Sequence, residues 1–443
     1  MFKKILSFII VVVMTMTFVA CGENSNGDNE DTEEKVKSST KGLEFELNED
    51  EKSYTVTGIG DCKSTEIEIG KYKKLPVTNI DTKAFYKCDN LTSVTLSNSV
   101  INIGKSAFEG CTGLTSIKIP SSVESIESYA FRGCTGIAEL TILSVDAAIS
   151  KIAFEGCTSI ERATAPTNAI KCFPKENLRD VVITSGEKIL GGLDGFGGCT
   201  KLESITIPDS VKSIDIYAFS KCTNLKSITI PDSVTSIGDF AFNECTSLKS
   251  VTIPDSVTNM GVRVFDKCDK LESVTLPSNI IEIGGYTFNE CRSLESITIP
   301  SSVTQIGKGA FYNCINLASI IFEEDSQCEI IGDEAFAGSE KLESVIIPDS
   351  VTEIGRRVFY CCWSLEEIVI GENVEFIGVG AFKECKNLKS VEFKCAEGWT
   401  YSSSTVETLV TKRVEVPVNT ISDNAIAAKN LRENLISVYL FRD

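Results

Sequence analysis

The sequence predicts an α/β-type solenoid with short parallel strands, one per unit of about 23 residues. Turns and short helical segments join the strands, and both ends are capped. Three observations carry this prediction. An aromatic recurs at Phe85, Phe108, Phe131 and Phe154, then after a gap of 42 at Phe196, Phe219, Phe242, Phe265, Phe288 and Phe311, and finally at Phe336, Phe359 and Phe382. A cysteine follows three places later in twelve of these thirteen units, as at Cys222, Cys245 and Cys268, the exception being Ser339. Proline and an Ala-Phe pair hold fixed places in the same frame. A fixed period of this length marks units that cannot bury their own apolar face and must stack on their neighbours.

The chain opens on an export signal. Lys3 and Lys4 precede the apolar run Ile5 to Ala20, whose 16 residues fall short of the ~20 a membrane span needs. Phe18-Val19-Ala20-Cys21-Gly22 looks like a bacterial lipobox. Residues 1–20 therefore read as a lipoprotein signal peptide, with Cys21 as the lipid-attachment residue. Leu is commoner where Phe18 stands. Simple secretion is the alternative, for which Phe18 is a poor −3 residue. Residues 21–42 are rich in Asn, Gly, Ser, Asp and Glu and read as a disordered tether. The chain is thus expected to be exported and anchored as a lipoprotein at a bacterial cell surface, touching the membrane through its N-terminal lipid.

Residues 43–75 read as an N-terminal capping hairpin, in which Leu43 to Leu47 and Ser53 to Thr57 flank the turn-forming Asn48 to Lys52. A bare solenoid end exposes core and strand edge, so a cap is required. The solenoid itself spans 76–395, about 14 units. A well-formed unit begins at Leu225, with Ile228 and Ile230 alternating along a strand. Pro231-Asp232-Ser233 is turn chemistry. Val234 and Ile237 point inward, Gly238 allows a tight corner, and Ala241 and Phe242 close the coil before Cys245. One unit, at 158–196, is degenerate: Leu178, Val181 and Ile183 keep strand positions and Phe173 stands in for the closing aromatic. Glu323 to Glu329 adds two residues and an acidic loop. Residues 396–443 read as a C-terminal cap, with strands at 414–418 and 436–441 and a short amphipathic helix over 423–435.

This pattern resembles the BspA-type leucine-rich repeat of bacterial surface proteins, whose units run Leu-x-x-Ile-x-Leu-Pro, then Val-x-x-Ile, then Ala-Phe-x-x-Cys. The resemblance implies a cell-surface role in adhesion, or contact with host, matrix or neighbouring-cell proteins.

Composition narrows the function. Net charge is −19, which repels a phosphate backbone and makes nucleic acid an unfavoured partner. There is no histidine, which removes the usual general base, Ser-His-Asp and Cys-His catalysis and His metal ligands. No Gly-rich phosphate loop or nucleophile motif appears, so neither an enzyme nor a cofactor is indicated. The cysteine column reads as unpaired core thiols behaving as small hydrophobes; disulfides and metal are the alternatives, but no CxxC pair supports zinc. The acidic loop could take Ca²⁺, though it lacks regular Asp-x-Asp spacing.

Strand positions facing away from the core carry Ser204, Ser227, Ser250, Ser273 and Ser296, with Thr206, Thr229, Thr252, Thr275 and Thr298 two residues on. These two hydroxyl tracks form the candidate binding face. Solubility and β-propensity are enough to explain them. Three readings follow: a solenoid face for protein binding, a structural spacer without a dedicated ligand, and a glycan-binding surface. Specific contacts are expected in the irregular stretches 137–196 and 321–335, with 202–300 as spacer.

Overall fold

The computed structural model describes residues 37–191, 195–394, 399–402, 413–415 and 439–442. Cys21, the 1–20 signal segment and the helix read over 423–435 lie outside the described residues.

Each coil is tied to its neighbours along three tracks. The inner track is the strand the repeat predicts, running from Glu66–Ile69 through Ser93–Leu96 and Ser116–Ile119 to Ser390–Phe393. Its register advances one repeat per rung, as in Ile117 opposite Leu140. The sequence assigns one strand to each unit; the structure adds a second, two residues long, at the Val-x-x-Ile step. Ser213–Ile214, Ser236–Ile237 and Asn259–Met260 pair in parallel along this outer track. Two residues are too few to show a period of two, so the sequence does not mark it.

The third track runs through the Ala-Phe-x-x-Cys segment. The sequence predicts short helical segments between the strands, yet the one α-helix among the described residues is Thr167–Ile170, in the degenerate unit. Elsewhere the amides bond across to the next coil: Phe108 N to Ala130 O at 2.7 Å and Gly110 N to Arg132 O at 2.8 Å. A donor used between coils cannot also close an i→i−4 bond, so the segment stays a chain of turns. Gly238 serves close approach: its amide bonds Ile214 O at 2.8 Å, and a Cβ would sit 2.7 Å from Ile216 N.

The marker phenylalanines stack inside, face over face and offset, in two columns. Centroid spacings are 5.0 to 5.2 Å from Phe85 to Phe154. Phe173 then packs edge-on to Phe154 at 6.2 Å, in the place the sequence assigns it. A second column runs from Phe196 to Phe382 at 5.2 to 5.7 Å. Strand rungs near 4.8 Å dictate this spacing, and offset stacking suits it. The two residues added at 323–329 do not disturb the column, because Phe311 and Phe336 remain 5.2 Å apart.

The thiols form a parallel column. Cys111, Cys134, Cys157, Cys222, Cys245, Cys268, Cys291, Cys314, Cys362 and Cys385 each direct Sγ at the carbonyl of the preceding coil's phenylalanine, at 3.0 to 3.4 Å. All described cysteines are free. Ser339 holds the same position, fully buried, and its hydroxyl has no partner among the described residues. A C–O bond is shorter than a C–S bond, so the hydroxyl falls short of the carbonyl that the thiols reach. Ser339→Cys is therefore expected to stabilise the fold by about 1–2 kcal/mol, read from the urea midpoint.

The ends are covered by strands. Glu44–Leu47 pairs antiparallel with Tyr54–Gly58, which continues the outer track through Leu75–Ile80. Lys37 to Thr40, in the segment assigned to the tether, instead bonds along the open edge of the first inner strand: Ser39 N reaches Lys71 O at 2.8 Å and Thr40 N reaches Glu68 O at 2.9 Å. An exposed strand edge needs such partners. That first strand lies before residue 76, so coil stacking begins inside the 43–75 segment. At the far end Tyr439–Arg442 pairs antiparallel with Phe376–Ile377 and with Trp399–Ser402, which pairs with Arg413–Glu415.

Candidate functional site

All ten hydroxyl residues of the candidate face are exposed, and the Ile or Val between each Ser and Thr points inward. The two tracks therefore stand where the strand alternation places them. What the alternation does not foretell is that the inner track is interrupted. Ser204–Thr206 ends a seven-stranded sheet, and Ser250–Thr252 begins a new pair with Ser273–Thr275. Between them Ser227 to Ile230 joins no strand. Among the described residues, no main-chain hydrogen bond involves Ser227, Ile228, Thr229 or Ile230. Only the preceding residue holds, by long bonds: Lys226 N to Glu203 O at 3.3 Å and Lys249 N to Lys226 O at 3.4 Å.

The coil does not fall apart, because the other tracks continue past this point. Ser213, Ser236 and Asn259 stay in ladder register, and Phe219 and Phe242 stay 5.3 Å apart. The inner track also breaks between Ser273–Thr275 and Ser296–Ile299, and between Ser319–Phe322 and Ser344–Ile346. The outer track breaks elsewhere, between Asn259–Met260 and Glu282–Ile283. From Ser204 onward, no junction between described coils loses both.

At the Ser227 interruption the face opens into a cleft of about 600 Å³. Ser227, Thr229, Ser250 and Thr252 give it hydroxyls, Ile228 and Val251 its floor, and Asp232, Asp255 and Ser256 one wall. The Ser278 amide donates to Asp255 Oδ1 at 2.7 Å and holds that carboxyl below its ordinary value. Lys226 bonds Glu203 at 2.5 Å, and Arg179 bonds it at 3.1 Å, so the charges edging the upper coil are paired. The cleft is thus an acid-edged, hydroxyl-lined slot over unpaired backbone, able to accept and donate hydrogen bonds to a polar chain.

Sequence reasoning marked the four hydroxyls of this cleft and missed Asp232, Asp255 and the unpaired backbone. No signal could have found the interruption, since Ser204 to Ser210 and Ser227 to Ser233 are the same seven residues. The acidic loop sends Glu323 to the Ser301 amide at 2.9 Å. Among the described residues no group of three or more Cys, Asp or Glu gathers as a metal site. No helix among them is long and apolar enough to cross a membrane.

Comparison with known proteins gives the relationship. A leucine-rich repeat protein from Bacteroides ovatus is 28% identical, with 80% of this chain and 93% of that one covered and a TM-score of 0.51. A leucine rich cell surface protein from Faecalibacterium prausnitzii is 25% identical, covering 80% and 94%, with a TM-score of 0.28. A leucine-rich repeat protein from Eubacterium ventriosum is 18% identical, covering 78% and 94%, with a TM-score of 0.35. No curated protein matches. The family described as BspA type Leucine rich repeat region matches in six copies, over residues 78–192, 192–318 and 304–432. The chain belongs to the BspA-type leucine-rich repeat family.

Proposed function

We propose that this protein is a non-enzymatic lipoprotein, tethered through Cys21 at the bacterial surface, that binds another protein on its hydroxyl face with the Ser227–Ser256 cleft at the centre. The observation that carries this is the coincidence of the cleft with the interrupted inner track. A partner segment laid there meets the exposed hydroxyls of Ser227, Thr229, Ser250 and Thr252 where no main-chain bond ties Ser227 to Ile230 to a neighbouring coil. Repeat scaffolds of this type are often used for protein binding, since stacked units give long continuous faces. This reading moves the contact into 202–300, the stretch the sequence marks as spacer. The structural-spacer reading draws on the near-uniform faces of the other coils. A glycan reading draws on the hydroxyls.

An array of extracellular-matrix proteins, envelope proteins and glycans, probed with the protein and with a Thr229→Arg/Thr252→Arg variant, tests this. Both positions are exposed, so the variant should keep its melting temperature. A saturable protein hit weakened by about tenfold or more in the variant is the expected result. A hit indifferent to the variant would refute the cleft, and no hit at all would favour the spacer.

A further inference from the structure

We propose that the corner bearing Tyr217, Phe240, Arg263 and Tyr286 binds a second copy of this chain in antiparallel register. The four residues hold one position in successive coils. Their side chains form a continuous column on the surface. Tyr217 stacks on Phe240 with centroids 4.9 Å apart. The Arg263 guanidinium lies 5.8 Å from the Phe240 centroid and 4.5 Å from that of Tyr286. Tyr217 is 49% exposed, and Ile216 and Val262 beside the column are exposed as well.

Two features describe how this column is held. All four residues sit in the left-handed region, with φ of +56° to +57°. Bulky side chains disfavour that conformation, and glycine takes the same position in the coils of Gly309 and Gly380. Lys83, Ser106, Tyr129, Glu334 and Arg357 take the same conformation at this position of their own coils, so it belongs to the repeat, and what is particular here is the unbroken run of three aromatics and an arginine. Beneath the column lies a buried polar network. Asp266 accepts from Arg263 Nη1 at 3.1 Å, from Asn243 Nδ2 at 3.2 Å and from Asn289 Nδ2 at 2.6 Å. Asn243 in turn accepts from Ser220 Oγ at 3.3 Å. The arginine is thereby fixed in the stack with its charge matched from below. Rigid aromatics and arginine are the residues that anchor protein interfaces, and fixing them in advance lowers the cost of association.

The pattern selects the occupant. A two-fold axis lying in the contact plane, across the column and between Phe240 and Arg263, reverses the order of the rungs. Tyr217 then meets Tyr286 of the second copy, and Phe240 meets its Arg263, so the two arginines are kept apart. Four residues further along each coil a second row reads Lys221, Glu244, Lys267, Glu290. The same reversal sets Lys221 against Glu290 and Glu244 against Lys267, so unlike charges meet at every rung. Glu290 also bonds Arg292 at 2.7 Å within its own chain, and that bond can be shared. The net charge of −19 opposes approach at long range, but it is screened beyond about 8 Å at physiological salt. A patch four coils long is smaller than the ~800 Å² per partner of a standard interface, so a Kd of roughly 0.1–1 mM is expected.

Sedimentation equilibrium of the full chain, up to about 1 mM with reductant, tests this. Two variants decide it. Lys221→Glu/Lys267→Glu makes the charged row wholly acidic, and Glu244→Lys/Glu290→Lys makes it wholly basic. Each alone is expected to self-associate at least about tenfold more weakly, while an equimolar mixture regains or exceeds the original affinity. Phe240→Gly should relieve strain and raise the melting temperature, yet weaken the dimer. A protein that stays monomeric throughout overturns the proposal. So does a dimer that tolerates both charge variants, or a mixture that associates no better than its parts.

Discussion

Raising the pH above about 9 is expected to unfold this protein cooperatively. Burial pushes the thiols up: Cys199 to about 11 and Cys385 to about 12, and Cys222, Cys245, Cys268, Cys291, Cys314 and Cys362 well above the ordinary value of 9.0. The folded chain therefore keeps protons that the unfolded chain releases. The thiol contribution is complete below pH 9 and is lost as pH climbs from there toward 12. One pH unit past the unfolded value costs about 1.4 kcal/mol per thiol. Summed along the column this reaches roughly 10 kcal/mol, comparable with the whole stability of an ordinary domain. Circular-dichroism melts under reductant should be level from pH 6 to 8 and fall steeply between about pH 9 and 10.5. A Cys245→Ala/Cys268→Ala/Cys291→Ala variant should be less stable at pH 7 and show a shallower fall. A melting temperature unchanged at pH 10.5 would contradict the thiol account.

Phe265→Ala should destabilise the fold by about 3–5 kcal/mol. The ring is fully buried and stacks on Phe242 at 5.3 Å and on Phe288 at 5.5 Å, so its loss opens the column on both sides. In a solenoid each coil touches only its neighbours, so such a gap weakens the coupling between the two halves. Urea unfolding should become broader, with two steps where the parent protein has one. Phe173→Ala should cost less, because the column is already broken there and its ring meets Phe154 edge-on. Equal losses at both positions would contradict the stacking account.

These expectations rest on residues that the sequence displays openly. Phenylalanine, cysteine, proline and the Ser-x-Thr pair recur because every coil imposes the same surroundings on them, so the repeat, the core column and the exposed face could be read directly. The outer track could not, since it is two residues long. Nor could the turns of the Ala-Phe-x-x-Cys segment be told from helix, because the choice depends on amides reaching Ala130 and Arg132 of the next coil. The cleft is hidden most completely. Ile205 and Ile228 sit in identical surroundings of sequence, yet one strand pairs and the other does not. Tyr217, Phe240, Arg263 and Tyr286 were visible as residues, but only their common corner and the buried Asp266 beneath them make a surface of them.

The inner track is open at Ser227 to Ile230 while the coils around it remain locked. Amide hydrogen exchange tests it most directly. Fast exchange is expected at Ile228, Thr229 and Ile230, and slow exchange at Ile117 to Ile119 and at Ile214 and Ile237, whose strands are paired. Protection at Ile228 to Ile230 equal to that at Ile117 to Ile119 would mean that the track is closed, and the cleft would lose its standing as the binding centre.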